Sequence, residues 1–165
     1  MWLAARTGQS TATKPHPAET FERLSLEQLD GLYHFALHQS SDPSTAEELV
    51  VKTYVRARSQ FERLPEGANF KLWIFKVLRN AAIGQRKNGR PNRVASKANH
   101  GIDPGLAGLP ETQRLVVVLF VVEHFTCRDI ADILDSRPGE VAVWLDTARR
   151  RLGFFHPVPS CHKEM

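Results

Sequence analysis

Between Lys71 and Lys97 the chain carries eight basic side chains, Lys71, Lys76, Arg79, Arg86, Lys87, Arg90, Arg93 and Lys97, and no acidic one. Such a run either draws in a polyanion or forms a solvated face, and the count alone does not separate the two. Spacing adds information. On a helical wheel of about 100° per residue, Phe70, Trp73, Ile74, Val77, Leu78 and Ala81 take one side. Lys71, Lys76, Arg79, Arg86 and Lys87 take the other, with Phe75 among them and Asn69 and Asn80 at the flanks. Cations hold phosphates by counterion release. An aromatic ring among them stacks an unpaired base, and amides read base edges through paired hydrogen bonds. These residues are therefore candidate contacts to nucleic acid, with Phe75 or Trp73 as the stacking ring. Trp73 taken alone fits the core better, because buried aromatics are the usual case.

Other reactive side chains are few. Cys127 lies near His124, and Cys161 adjoins His162, but the chain has two cysteines and no Cys-x-x-Cys pair. That excludes a disulfide framework and gives poor metal-ligand spacing, so Cys127 is expected to be a buried core thiol. No glycine-rich phosphate loop or paired-carboxylate motif stands out. The expectation is a non-enzymatic protein with no catalytic residue, no metal and no cofactor.

The elements that must position the basic face follow from periodicity and breakers. The chain has 165 residues, a formal net charge of +4 and 42% hydrophobic residues, as in a soluble globular protein. Residues 1–100 hold 15 basic and 9 acidic side chains, a net of +6, and residues 101–165 hold 7 and 9, a net of −2. Residues 1–20, rich in Thr, Ala and Pro, read as a disordered leader; an organellar transit peptide would have only Arg6 and Lys14 in its favour. Leu26, Leu29, Leu32, Tyr33 and Ala36 predict a first helix, with Ser25 as its N-cap. Ala46, Leu49, Val50, Thr53, Tyr54 and Ala57 predict a second, and the third runs from about Asn69 to Arg86. Residues 88–108, with repeated Gly and Pro and no hydrophobic period, read as an inter-domain linker. Leu109-Pro110-Glu111 then opens a helix across the apolar run 115–122, for which helix is favoured over strand because no second strand is available to pair.

Thr126-x-x-Asp129 is a capping-box-like start for a short helix through Ile130, Ala131, Ile133 and Leu134. A turn at 135–139 leads to a last helix striped by Val141, Trp144, Leu145, Ala148 and Leu152. Those two helices have helix-turn-helix spacing. The outer face of the second offers Glu140, Ala142, Val143, Asp146 and Thr147, with cations only at Arg149–Arg151, so its chemistry for reading DNA is poor. The fold class is all-α, in two small helical domains joined by a flexible linker. The divisions are a leader (1–20), a first domain (21–87), the linker (88–108), a helix-turn-helix domain (109–153) and a tail (154–165).

With both halves in view, the sequence resembles the extracytoplasmic-function (group IV) sigma factors, the small two-domain class of bacterial RNA polymerase sigma subunits. Ser44-Thr45-Ala46-Glu47-Glu48-Leu49-Val50-Val51-Lys52-Thr53-Tyr54 is similar to the family's D-A-E-D-L-V-Q-E-T-F helix. Asn69-Phe70-Lys71-Leu72-Trp73-Ile74-Phe75-Lys76-Val77-Leu78-Arg79-Asn80 is similar to its N-F-R-A-W-L-F-R-I-L-R-N segment. Leu109-Pro110-Glu111, Ile130 to Leu134, Gly139-x-Val141 and Ala148-Arg149 resemble its second domain. The resemblance implies a region-two-like first domain and a region-four-like second domain in the cytoplasm of a bacterium, not inserted in a membrane. It implies that Glu47, Glu48, Leu49, Val51, Lys52 and Tyr54 dock on the clamp helices of core RNA polymerase. Asn69, Lys71, Trp73, Phe75, Lys76, Arg79, Asn80, Arg86 and Lys87 would contact and open promoter DNA, with Arg149 and Arg150 on DNA from the second domain. The loop from Phe61 to Ala68 would shape a pocket for a flipped base. An anti-sigma factor is a further expected partner.

Two departures stand out. Val51-Lys52 replaces the family's Gln-Glu, and the last helix keeps the apolar skeleton of the family's T-V-K-S-R-L-H-R-A-R but little of its DNA-contacting chemistry. They motivate an alternative, a sigma-like interaction module that binds an anti-sigma factor or the polymerase with weak or lost recognition of the upstream promoter element.

Overall fold

The structure, a computed structural model, describes residues 17–40, 42–87 and 104–153. The leader up to residue 16, most of the linker (88–103) and the tail from residue 154 lie outside the described residues, as do Arg90, Arg93 and Lys97. The described residues form helices and turns, with no strand among them, in the order α1 (Pro17–Glu27), α2 (Leu29–Ser40), α3 (Pro43–Gln60), a short 3-10 turn (Phe61–Arg63), α4 (Phe70–Lys87), α5 (Pro104–Ala107), α6 (Glu111–Val117), a π-helical turn (Val118–Val122), α7 (Cys127–Leu134) and α8 (Pro138–Leu152). The all-α expectation holds.

Local chemistry explains the starts and stops. Asp42 caps α3, its carboxylate accepting from the Thr45 backbone N–H at 2.8 Å and from Thr45 Oγ1 at 2.6 Å, and Pro43 pre-sets the first helical φ. Ala46, Leu49, Thr53 and Ala57 then form the buried stripe of α3. Asn69 Oδ1 accepts from the Leu72 backbone N–H at 3.1 Å at the head of α4. Thr126 and Asp129 close a reciprocal capping box on α7, as the sequence predicts. Asp135, in the left-handed conformation at φ 53°, stops α7 and turns the chain towards α8, which ends at Gly153 with φ 69°.

Some expectations need correction. The first helix begins at Pro17, so residues 17–20 belong to α1 and not to a disordered leader. Ser25 is a buried residue inside α1 and not an N-cap, and Leu26 and Leu29 face solvent around the α1–α2 junction. Residues 104–107 form the turn of helix α5 at the end of the stretch read as linker.

Two clusters hold the first domain together. Phe21 of α1 lies 5.1 Å from the ring of Tyr54, 5.2 Å from Phe61 and 6.0 Å from Phe70, which ties α1, α3, the 3-10 turn and α4 into one aromatic group. Leu32, Phe35, Leu49, Ile74 and Leu78 are buried between α2, α3 and α4. In the second domain α6, α7 and α8 pack through Leu115, Val116, Ile130, Val141 and Ala148. The two domains also pack on each other, α6 and the π-helical turn against α2, and α7 against α4, so that one hydrophobic core runs through both.

Candidate nucleic-acid interface

That packing decides what becomes of the basic face of α4. The sequence places Phe75 among the cations, but its ring is 0% exposed. Phe35 of α2 covers one side at 5.6 Å between ring centres, and Phe125 meets it edge-on at 5.1 Å. Phe75 is thus the central ring of the contact between the two domains, which corrects the expectation that it stands ready to stack a base. Trp73 is half-buried against Phe70, with ring centres 5.6 Å apart, and stays at the edge of the core.

The cations divide into two groups. Lys71 Nζ reaches into the second domain, donating to the Glu123 backbone carbonyl at 2.8 Å and pairing with its carboxylate at 3.1 Å. It also lies 5.0 Å from the centre of the Phe125 ring and 5.9 Å from that of Phe75, within cation–π range. Arg86 pairs with Glu111 of α6 at 2.5 Å and donates to the Gln39 carbonyl at 3.0 Å. Arg79 donates to Gln39 Oε1 at 2.8 Å and lies 3.9 Å from Glu111. Burial pulls the Arg79 guanidinium below its ordinary pKa, against the opposing pull of Glu111 and with a further lowering from Arg86. Lys76 and Lys87, half-buried and exposed, make no ion pair with any other described residue. Asn69 and Asn80 are exposed at the flanks.

Residues that the sequence reading missed complete this contact. Glu123 is 9% exposed, and its position follows from the π-helical turn: its own N–H bonds back to the Val118 carbonyl at 3.1 Å, and His124 reverses the chain with φ 57°. Gly31 of α2 faces the Glu123 carboxylate so closely that a Cβ there would stand 2.6 Å from Oε2. Arg114 of α6 donates to the His38 carbonyl of α2 at 3.1 Å. The contact is polar and incompletely satisfied. Among the described residues Arg79 Nε, Arg114 Nε, Gln39 Nε2 and His38 Nδ1 are buried without a hydrogen-bond partner. Each such group costs about 1–3 kcal/mol in general. Glu111 could be noticed in the sequence beside Pro110, whereas Glu123 is only one acid after an apolar run.

On α3, Glu47, Glu48, Val51, Lys52 and Tyr54 are exposed, and Val55 extends their apolar edge. Leu49 is buried, so it supports this face from within and does not belong to it. Lys52 pairs with Glu48 at 3.6 Å. On α8, Asp146 pairs with Arg149 at 3.1 Å and with Arg150 at 2.5 Å, so both cations proposed to touch DNA from this helix already hold a carboxylate. Cys127 is buried, as expected, but it is disulfide-bonded and not a thiol, and the chain's other cysteine, Cys161, lies outside the described residues. No group of three or more metal-ligating side chains occurs among the described residues.

Comparison with known proteins places this geometry. The family described as Sigma-70, region 4 matches residues 105–152. The ECF RNA polymerase sigma factor EcfG of Rhodopseudomonas palustris (strain TIE-1) is 24% identical over 144 residues, which span 77% of this chain and 80% of that protein. The sigma factor RpoE of Bartonella quintana, solved in complex with the anti-sigma factor NepR, superposes with a TM-score of 0.69 at 30% identity, over 81% of this chain and 94% of its own. CnrH, solved in complex with the cytosolic domain of CnrY, shares the fold with a TM-score of 0.64 at 20% identity, over 82% of this chain and 86% of its own. An all-helical, two-domain sigma architecture is the class that these matches define. The chain belongs to the extracytoplasmic-function sigma factors, and its role is that of a sigma factor.

Proposed function

We propose that the chain binds core RNA polymerase and directs recognition and opening of promoters, with α3 as the docking helix and α4 as the helix that holds the separated strand. One observation carries this reading: α4 concentrates its cations on a single face, while Val51 and Val55, with the outer edge of Tyr54, leave an exposed apolar strip on α3. Lys71, Lys76, Arg79, Arg86 and Lys87 hold phosphates, Asn69 and Asn80 read base edges, and Trp73 supports an unpaired base. No covalent step is needed, since binding to the splayed strand supplies the free energy for opening. Glu47, Glu48, Val51, Lys52 and Tyr54 meet the clamp helices of the polymerase. An anti-sigma factor is a further partner of the same surfaces, by likeness to RpoE with NepR.

The pairing of Arg149 and Arg150 with Asp146 favours a reduced role for α8 on the upstream promoter element. Run-off transcription with purified core polymerase tests the reading. Promoter-dependent product supports it, whereas core binding without product leaves the interaction-module role in its place.

A further inference from the structure

We infer that Cys127 and Cys161 form a reversible disulfide, an oxidative modification site that fastens the tail (residues 154–165) to the start of α7 and closes the helix-turn-helix into a covalent ring. Cys127 is disulfide-bonded, and Cys161 is the one other cysteine in the sequence. The ring so closed spans residues 127–161 and contains α7, the turn at Asp135 and the whole of α8. Gly153, at φ 69°, turns the chain off the axis of α8 before the tail begins. Neither the bond nor its reversal depends on what α4 binds.

The fold does not need this bond. Leu115, Val116, Ile130, Val141 and Ala148 are fully buried or nearly so and already hold α6, α7 and α8 together, and α7 has its own capping box. Small domains that depend on disulfides use several of them in place of a core. Here one bond joins a packed helix to a segment near the chain's end, and what it adds is a limit on how far α7, α8 and the tail can part. Cys127 is the first residue of α7, where the helix dipole favours the thiolate that exchange requires. It is also 5% exposed, which shields its sulfur from oxidation beyond the disulfide.

Bond formation is a thiol–disulfide exchange. One cysteine thiolate attacks a sulfur of a small disulfide oxidant such as oxidised glutathione and expels one glutathione thiolate. The other thiolate then attacks the cysteine sulfur of that mixed disulfide and expels the second. Two protein thiols are oxidised, one glutathione disulfide is reduced, and the two protein protons pass to the two glutathione thiolates. Excess reduced glutathione runs the sequence backwards and frees the tail.

The test equilibrates the full-length chain in glutathione buffers of graded reduced-to-oxidised ratio and reads the bridged fraction by thiol alkylation and non-reducing peptide mapping. The peptide that holds Cys127 should be joined to the one that holds Cys161 within a single chain, and the bridged fraction should rise from nearly none to nearly all across the series. The oxidised chain should unfold about 5–15 °C above the reduced chain, the shift that one disulfide of this loop length gives. Cys161→Ser, which changes only the tail, should remove that difference and leave the midpoint of the reduced chain in place. A bond between two copies of the chain, or thiols that stay free in the most oxidising buffer, overturns the pairing. A bond that survives the most reducing buffer overturns its reversibility, and equal midpoints for the two forms overturn the ring as a constraint on the helix pair.

Discussion

His38 illustrates how a single side chain registers the contact between the domains. Burial, then the nearby charges of Arg114 and His34, hold its imidazole at a pKa of about 4 in the folded chain, below the ordinary 6.5. The unfolded chain takes up this proton near pH 6.5 while the folded chain does not, so stability is complete above that pH and falls as the pH drops towards 4. The loss reaches about 3 kcal/mol at most, at 1.36 kcal/mol for each pKa unit. Urea unfolding at a series of pH values should show this slope, and His38→Gln should flatten it. Phe75 gives a second expectation at the same scale. Phe75→Ala should cost about 3–5 kcal/mol of stability, the usual cost of emptying a buried aromatic site, and chemical denaturation measures it directly. A ring that only stacked bases would cost far less. The helical wheel put Phe75 among the cations correctly as an angle, but no wheel contains the second domain, and it is Phe125, fifty residues along the chain, that turns that side of α4 into core.

Among the elements, α3 was legible from its apolar period, Ala46 to Ala57, and α7 from local chemistry, Thr126 three residues before Asp129. Thr126→Ala should cost about 1 kcal/mol by loss of the cap, read as a lowered denaturation midpoint. The break between α1 and α2 was not legible, because Leu26 and Leu29 continue the helical period into solvent around a junction at Gln28, where pattern and burial part company. The π-helical turn was hidden for a different reason. An unbroken apolar run carries no period to show a change of winding, and the turn matters because it aims Glu123 inward. The exposed strip of α3 makes its own prediction. Val51→Asp with Val55→Asp should leave the unfolding midpoint nearly unchanged, since both residues face solvent, and should abolish co-elution with core polymerase.

At the scale of the molecule, the net charge of +4 hides a division that the fold puts to use. The acidic second half lies on the basic first half, with Glu111 and Glu123 against Arg86 and Lys71. The sequence showed the imbalance between the halves but not that they neutralise each other, because that depends on tertiary packing of α6 and the π-helical turn on α2, and of α7 on α4. The same packing explains why α4 carries a nucleic-acid face without offering all of it. The most direct measurement is site-specific photocrosslinking from position 76, one of the two cations of α4 that pair with no other described residue, in an initiation complex assembled from core polymerase, this chain and a promoter it serves. The account predicts a crosslink to the single-stranded DNA of the opened promoter; a crosslink confined to polymerase, or to the chain's own second domain, would contradict it.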